Sequence, residues 1–138
     1  MSNVETLSPA SATIGRLAVV GLGLIGGSFA KGIRESGVCR EVVGCDANPV
    51  TREQALPLGV VDRVTASLAE AVQGADVILL AVPVLAMEAV LAELAALELG
   101  NAVLTDVGST KGAVVKAVEL AFGSVPKRFV PGHPIAGS

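Results

Sequence analysis

Residues 19–28 read VVGLGLIGGS, and this stretch decides the fold. Gly21, Gly23 and Gly26 form the pattern G-x-G-x-x-G. An apolar run over 17–21 leads into it. A segment of helical spacing follows, with Ile25, Phe29 and Ile33 on one face and Gly37 as its terminator. Strand, glycine turn, helix is the context that separates a phosphate-binding loop from an ordinary glycine-rich turn. In that context Gly21 permits the tight turn, Gly23 lets the backbone approach a pyrophosphate, and Gly26 lets helix and strand pack closely. The first helical residues, Leu24 and Ile25, then offer unpaired N–H groups and the positive end of the helix dipole to phosphates.

Beyond the loop, short apolar runs alternate with helical patterns. Candidate strands span 17–21, 41–45, 61–64, 76–82, 102–106 and 128–131. Several are continuous apolar runs, as expected when a parallel sheet is covered on both faces. Asn48 followed by Pro49 announces a second helix. Ser67 with Glu70 makes a capping box for a short third. Met87, Val90, Leu91 and Leu94 form the stripe of a fourth, and Val114, Val118, Ala121 and Phe122 that of a fifth. This alternation implies right-handed crossovers and a Rossmann-type α/β fold: a doubly wound, parallel, six-stranded sheet with helices on both faces. Residues 1–15 read as a flexible leader and 16–138 as one dinucleotide-binding domain.

Composition closes off other classes. The chain has 138 residues, 51% of them apolar, the opposite of a disordered composition. A net charge of −3 and only 2% aromatic residues give neither the basic footprint nor the stacking platform of a nucleic-acid binder. The mean hydropathy of +0.67 raises the question of a membrane span. The long charge-free stretch near the start, 17–30, is interrupted by glycines and falls short of the roughly 20 apolar residues a span needs. No membrane partner is therefore expected. No basic segment precedes an apolar one near residue 1, so no signal peptide is read there. Cys39 and Cys45 lie six positions apart, neither a metal-ligand nor a CxxC spacing. They read as free thiols of a cytoplasmic protein, and no metal site is expected.

Asp46 lies twenty residues after Gly26, at the carboxyl end of the second candidate strand. A carboxylate there hydrogen-bonds the ribose hydroxyls of an adenosine half and repels a 2′-phosphate, which favours NAD over NADP. Arg52 is near enough in sequence to offset part of that repulsion. The alternative for Asp46 is an ordinary turn aspartate ahead of Asn48-Pro49.

Among dinucleotide enzymes, those with a Tyr-x-x-x-Lys pair are excluded, because the chain has no Tyr. The phosphate-loop pattern G-x-x-x-x-G-K-[ST] and clustered zinc ligands are also missing. The remaining chemistry lies near the last two candidate strands. DVGSTKG, 106–112, places Ser109 between a strand and a helix. An N-cap and a substrate hydrogen bond are compatible roles for it. In the same segment Asp106 reads as ordering the turn, and Lys111 as a solvated helix charge or an anion anchor. PGHPIAGS, 131–138, carries His133, the only histidine. Pro134 disfavours helical backbone at His133, which puts it at a strand end or in a loop. Ligands of open α/β sheets bind beyond the carboxyl ends of the strands. An imidazole there is suited to accept the proton when a hydroxyl is oxidised to a carbonyl.

VVGLGLIGGS, Asp46, AVPV at 81–84, DVGSTKG and GHPIAGS occur in this order. Together they resemble the N-terminal NAD-binding domain of the prephenate/arogenate (cyclohexadienyl) dehydrogenases of tyrosine biosynthesis, from Arg16 to Ser138. The glycine loop is common to many families; its combination with the last two segments is far more specific. The resemblance implies NAD-dependent oxidative decarboxylation of prephenate or arogenate. It assigns His133 as the base that takes the hydroxyl proton and Ser109 as the residue that orients that hydroxyl. It places Val82 and Pro83 against the cofactor. It also implies a second, helical domain that builds a homodimer and holds the substrate carboxylates. The chain stops five residues past His133, so that domain is expected to be absent, and the isolated chain to show little or no turnover. An apolar patch is then expected on the side of Ser109 and His133. Two other readings stay open: another NAD-dependent hydroxy-acid dehydrogenase, and a non-catalytic dinucleotide-binding module.

Overall fold

Apolar runs that alternate with helices pair here into one parallel sheet. In the computed structural model, residues 14–107, 118, 119, 121–123, 129 and 130 are described. The chain runs β1 (Ile14–Val20), α1 (Leu24–Ser36), β2 (Cys39–Cys45), α2 (Pro49–Ala55), β3 (Arg63–Thr65), α3 (Leu68–Val72), β4 (Val77–Leu80), α4 (Val84–Ala95) and β5 (Val103–Asp106). The strand order is β3-β2-β1-β4-β5. All pairings are parallel, with Val19 opposite Gly44 and Leu79, and Leu80 opposite Asp106. The sequence predicts six strands; among the described residues the sheet has five. Phe129, from the sixth candidate strand, makes a single parallel bridge to Leu104 on the outer side of β5. β1 begins at Ile14, where the Ile14 amide donates to Val38 O, so Ile14 and Gly15 belong to the sheet rather than to a leader.

Two cores sandwich the sheet because successive strand side chains point to opposite faces. Leu17, Val19, Val42 and Leu79 pack with Ala30 of α1 and Ala55 of α2. Ala18, Val20, Ile78 and Leu80 pack with α3 and with Met87, Leu91 and Leu94 of α4. Each fully buried Leu or Ile of this kind contributes about 1.5–3 kcal/mol. Val118, which is helical, is buried in the second core, and Ala121 and Phe122 pack against it.

The helix starts follow their sequence signals. Asn48 Oδ1 accepts from Val50 N and Thr51 N ahead of Pro49. Ser67 Oγ accepts from Glu70 N at 3.2 Å. The return half of that capping box is relayed: Ser67 N donates to Thr65 Oγ1, which in turn donates to the Glu70 carboxylate.

Helix α1 departs from its expected face. Ile25 and Phe29 are 56% and 39% exposed, and the buried positions are Gly26 and Ala30. The reason is steric: α1 lies so close to the sheet that only small residues fit beneath it. A Cβ at Gly26 would run into the Gly21 carbonyl oxygen and lie 2.9 Å from Ala81 Cβ. Gly26→Ala should therefore destabilise the fold by about 1–3 kcal/mol, read as a lowered midpoint in a thermal melt. An unchanged midpoint would contradict this close packing.

Candidate functional site

The strand order reverses at β1, whose neighbours are β2 and β4. In a doubly wound sheet, the crevice beyond the carboxyl ends at such a point receives ligands. Here it holds a cleft of about 630 Å³. Gly21, Gly23, Leu24, Ile25, Gly26, Asp46, Val82 and Pro83, all singled out from the sequence, line it together.

Backbone contacts fix the cleft floor. Gly21 N donates to Cys45 O at 2.8 Å, Ala81 N to Val20 O at 2.8 Å, and Val107 N to Leu80 O at 2.9 Å. Gly21 has φ +98°, and a Cβ there would lie 2.6 Å from Ala81 O. Gly23 differs: its φ is −68°, and a Cβ would meet no atom of the described residues within 4 Å. Among the described residues nothing fills the space in front of α1. No side chain caps this 13-residue helix, and no acidic residue sits in its first turn. Its leading N–H groups and positive dipole end face that space without competition. These features fit a diphosphate.

Asp46 lies immediately after β2 and ties two loops together. Its Oδ2 accepts from Leu22 N of the glycine loop at 2.7 Å, and its Oδ1 accepts from Asn48 N at 2.9 Å. Each oxygen keeps a second lone pair for a ligand hydroxyl. Arg52 Nη1 donates to the Asp46 backbone carbonyl at 2.8 Å, which holds the guanidinium at the end of β2. Leu22 itself is buried, and Gly44 makes room for it: a Cβ there would sit 2.6 Å from Leu22 Cδ1.

Cys45, buried beside the cleft, is pushed up to about 11 by burial and by the charges of Asp46 and Glu93, with Arg52 opposing. Cys39 is likewise raised, by burial and then by Asp62. Both remain protonated, unreactive thiols at neutral pH.

Glu93 also lines the cleft, with Ala47, Ala66, Leu68, Ala86 and Val90. It belongs to no motif; the only sequence signal is its helical spacing from Ala86 and Val90, beside the buried Met87–Leu91–Leu94 stripe. At the carboxyl end of β5, Asp106 is only 2% exposed. Ser109, Lys111 and His133 lie outside the described residues. Leu24 and Leu85, 88% and 98% exposed, stand in the first turns of α1 and α4.

Parallel sheet, switch-point cleft, glycine loop and a carboxylate after β2 define a dinucleotide-binding domain of the Rossmann class. Residues 29–138 match the family model described as prephenate dehydrogenase, nucleotide-binding domain, and the chain belongs to that family. A prephenate dehydrogenase of Lactococcus lactis subsp. cremoris is 36% identical over 124 residues, 89% of this chain and 34% of the relative. The crystal structure of prephenate dehydrogenase from A. aeolicus, in complex with hydroxyphenyl propionate and NAD+, superposes with a TM-score of 0.78 at 38% identity. That match covers 93% of this chain and 44% of the other. Synechocystis arogenate dehydrogenase gives a TM-score of 0.74 at 32% identity, over 89% and 42% of the two chains. The chain thus spans between a third and a half of the length of these relatives.

Proposed function

We propose that this chain is the cofactor-binding domain of an NAD-dependent dehydrogenase that oxidatively decarboxylates prephenate or arogenate. The observation that carries the reading is the convergence of the open Gly23 loop and Asp46 on one cleft, in a chain of this family. Gly21, Gly23 and Gly26 shape the loop, and the leading N–H groups at Leu24 and Ile25 hold the diphosphate. Asp46 accepts hydrogen bonds from the adenosine ribose hydroxyls. Val82 and Pro83 bound the cleft after β4 and keep water from the nicotinamide half. When bound, NAD supplies the acceptor for the hydride leaving the hydroxyl-bearing ring carbon.

His133 takes the proton of that hydroxyl, and Ser109 orients it. Loss of the ring carboxylate as carbon dioxide makes the ring aromatic and the step effectively irreversible. A helical domain of the whole protein holds the substrate carboxylates and forms the homodimer; the exposed Leu24 and Leu85 support a covered rim in that assembly. Among the described residues no helix is long and apolar enough to cross a membrane, which supports the cytoplasmic setting of such an enzyme. Assay of the full-length protein with prephenate and arogenate, and with NAD+ and NADP+, tests the reading. Absence of nicotinamide reduction with both substrates would overturn it.

The cofactor preference has its own test. Asp46→Ser removes the ribose acceptor and the charge facing a 2′-phosphate, while Arg52 remains beside the site. NAD+ affinity should fall about tenfold, and the preference over NADP+ should narrow by at least as much, in a fluorescence titration. Unchanged NAD+ affinity would remove Asp46 from the site.

A further inference from the structure

The same cleft is also lined by Ala47, Ala66, Leu68 and Val90, and by one carboxylate besides that of Asp46, Glu93 on α4. Cys45, which precedes Asp46 and lines the cleft with it, feels the negative charges of both Asp46 and Glu93. Among the described residues no hydrogen bond or ion pair takes up the Glu93 side chain.

What could occupy such a place follows from charge and shape. A carboxylate repels the diphosphate, and the ribose hydroxyls fall to Asp46. The part of a dinucleotide that lies beyond the ribose is the base, a flat, largely apolar ring. Small apolar side chains suit its faces. On an adenine ring the only strong hydrogen-bond donor is the exocyclic 6-amino group. An acceptor without a donor of its own is what Glu93 offers.

We propose that Glu93 reads the base: its carboxylate accepts a hydrogen bond from the 6-amino group of adenine, in a slot walled by Ala47, Ala66, Leu68 and Val90. This deepens the dinucleotide reading and rests on it. Glu93 is then a specificity residue that rejects a 6-oxo purine, whose oxygen would turn a lone pair toward the carboxylate. A site built to pair with a polar group of its ligand discriminates strongly against an analogue lacking it.

The test compares NAD+ with nicotinamide hypoxanthine dinucleotide, which carries a 6-oxo group and an N1–H where adenine has its 6-amino group and bare N1. Calorimetric titration of this chain should show NAD+ bound about tenfold or more tightly. In Glu93→Ala the ratio should fall to near one, through loss of NAD+ affinity. In Glu93→Gln it should also fall to near one, because the amide can accept from the 6-amino group or donate to the 6-oxo oxygen. Thermal midpoints should stay close to wild type, since Glu93 is exposed on α4. A wild-type ratio near one, or a preference that survives in both variants, overturns the assignment while leaving the dinucleotide reading in place. Failure of the wild-type chain to bind NAD+ overturns both.

Discussion

Replacing His133 with Asn in the full-length protein is expected to preserve NAD+ binding and to lower turnover of prephenate by about 10²–10⁴-fold. The imidazole is the group assigned to take the proton as the ring hydroxyl becomes a carbonyl oxygen. Asparagine keeps a similar size and hydrogen-bonding capacity but has no basic site. The cleft residues proposed to bind the cofactor lie between Gly21 and Glu93, remote from residue 133 in sequence, so cofactor affinity should not follow the loss of rate. The acid limb of the kcat profile, which reports a base that must be neutral to act, should disappear with it. Stopped-flow titration with NAD+ and steady-state assays across pH check both halves. A near-normal kcat would refute the assignment, and a collapse of NAD+ affinity would point to a structural role instead.

Gly23→Asp should have nearly as large an effect on binding, and very little on stability. The backbone at Gly23 has φ −68°, which any residue adopts, and a Cβ there meets no atom of the described residues within 4 Å. The folded chain therefore tolerates the side chain, and unfolding free energy should change by no more than about 0.5 kcal/mol. A dinucleotide would not tolerate it. The new carboxylate would occupy the diphosphate position, where like charges cost several kcal/mol, or about 100-fold to 1,000-fold in affinity. Gly26, three residues later in the same motif, behaves in the opposite way, because its Cβ collides with the fold itself. The pair thus separates a glycine required by the ligand from a glycine required by packing. If Gly23→Asp bound NAD+ like the wild type, the diphosphate would have to lie elsewhere.

Much of this was legible in the sequence, for identifiable reasons. Parallel strands buried on both faces leave unbroken apolar runs, so β1, β2, β4 and β5 were read close to their observed positions. β3 was placed too early. Val61 is buried, but as a plug in the core before the strand rather than as part of it, and pairing begins at Arg63. Apolarity reports burial, and at a short edge strand burial and pairing separate. The Ile25–Phe29–Ile33 stripe misled in a related way at two of its positions: Ile33 packs against the core, but Ile25 and Phe29 are exposed. Helical spacing marks a face, yet the face that meets the sheet is chosen by how closely the helix approaches, and here Gly26 and Ala30 set that approach. The eight residues that the sequence assigns to a cofactor do line one cleft; the glycines and the carboxylate were legible through their fixed offsets, Val82 and Pro83 through the family resemblance. Glu93 was not, because its place in the cleft depends on how α4 crosses the sheet, which no local pattern encodes.

The two amide contacts to Asp46 have a thermodynamic consequence. A free aspartate side chain loses rotamer entropy when a ligand fixes it. Here Leu22 N and Asn48 N hold both oxygens before any ligand arrives. The end of the cleft proposed to take the adenosine is therefore preorganised, and little of the association free energy would be consumed in ordering it. The same tether makes the glycine loop and the start of α2 one mechanical unit. A hydroxyl that docks on the carboxylate is felt at both loops at once, with no rearrangement of either.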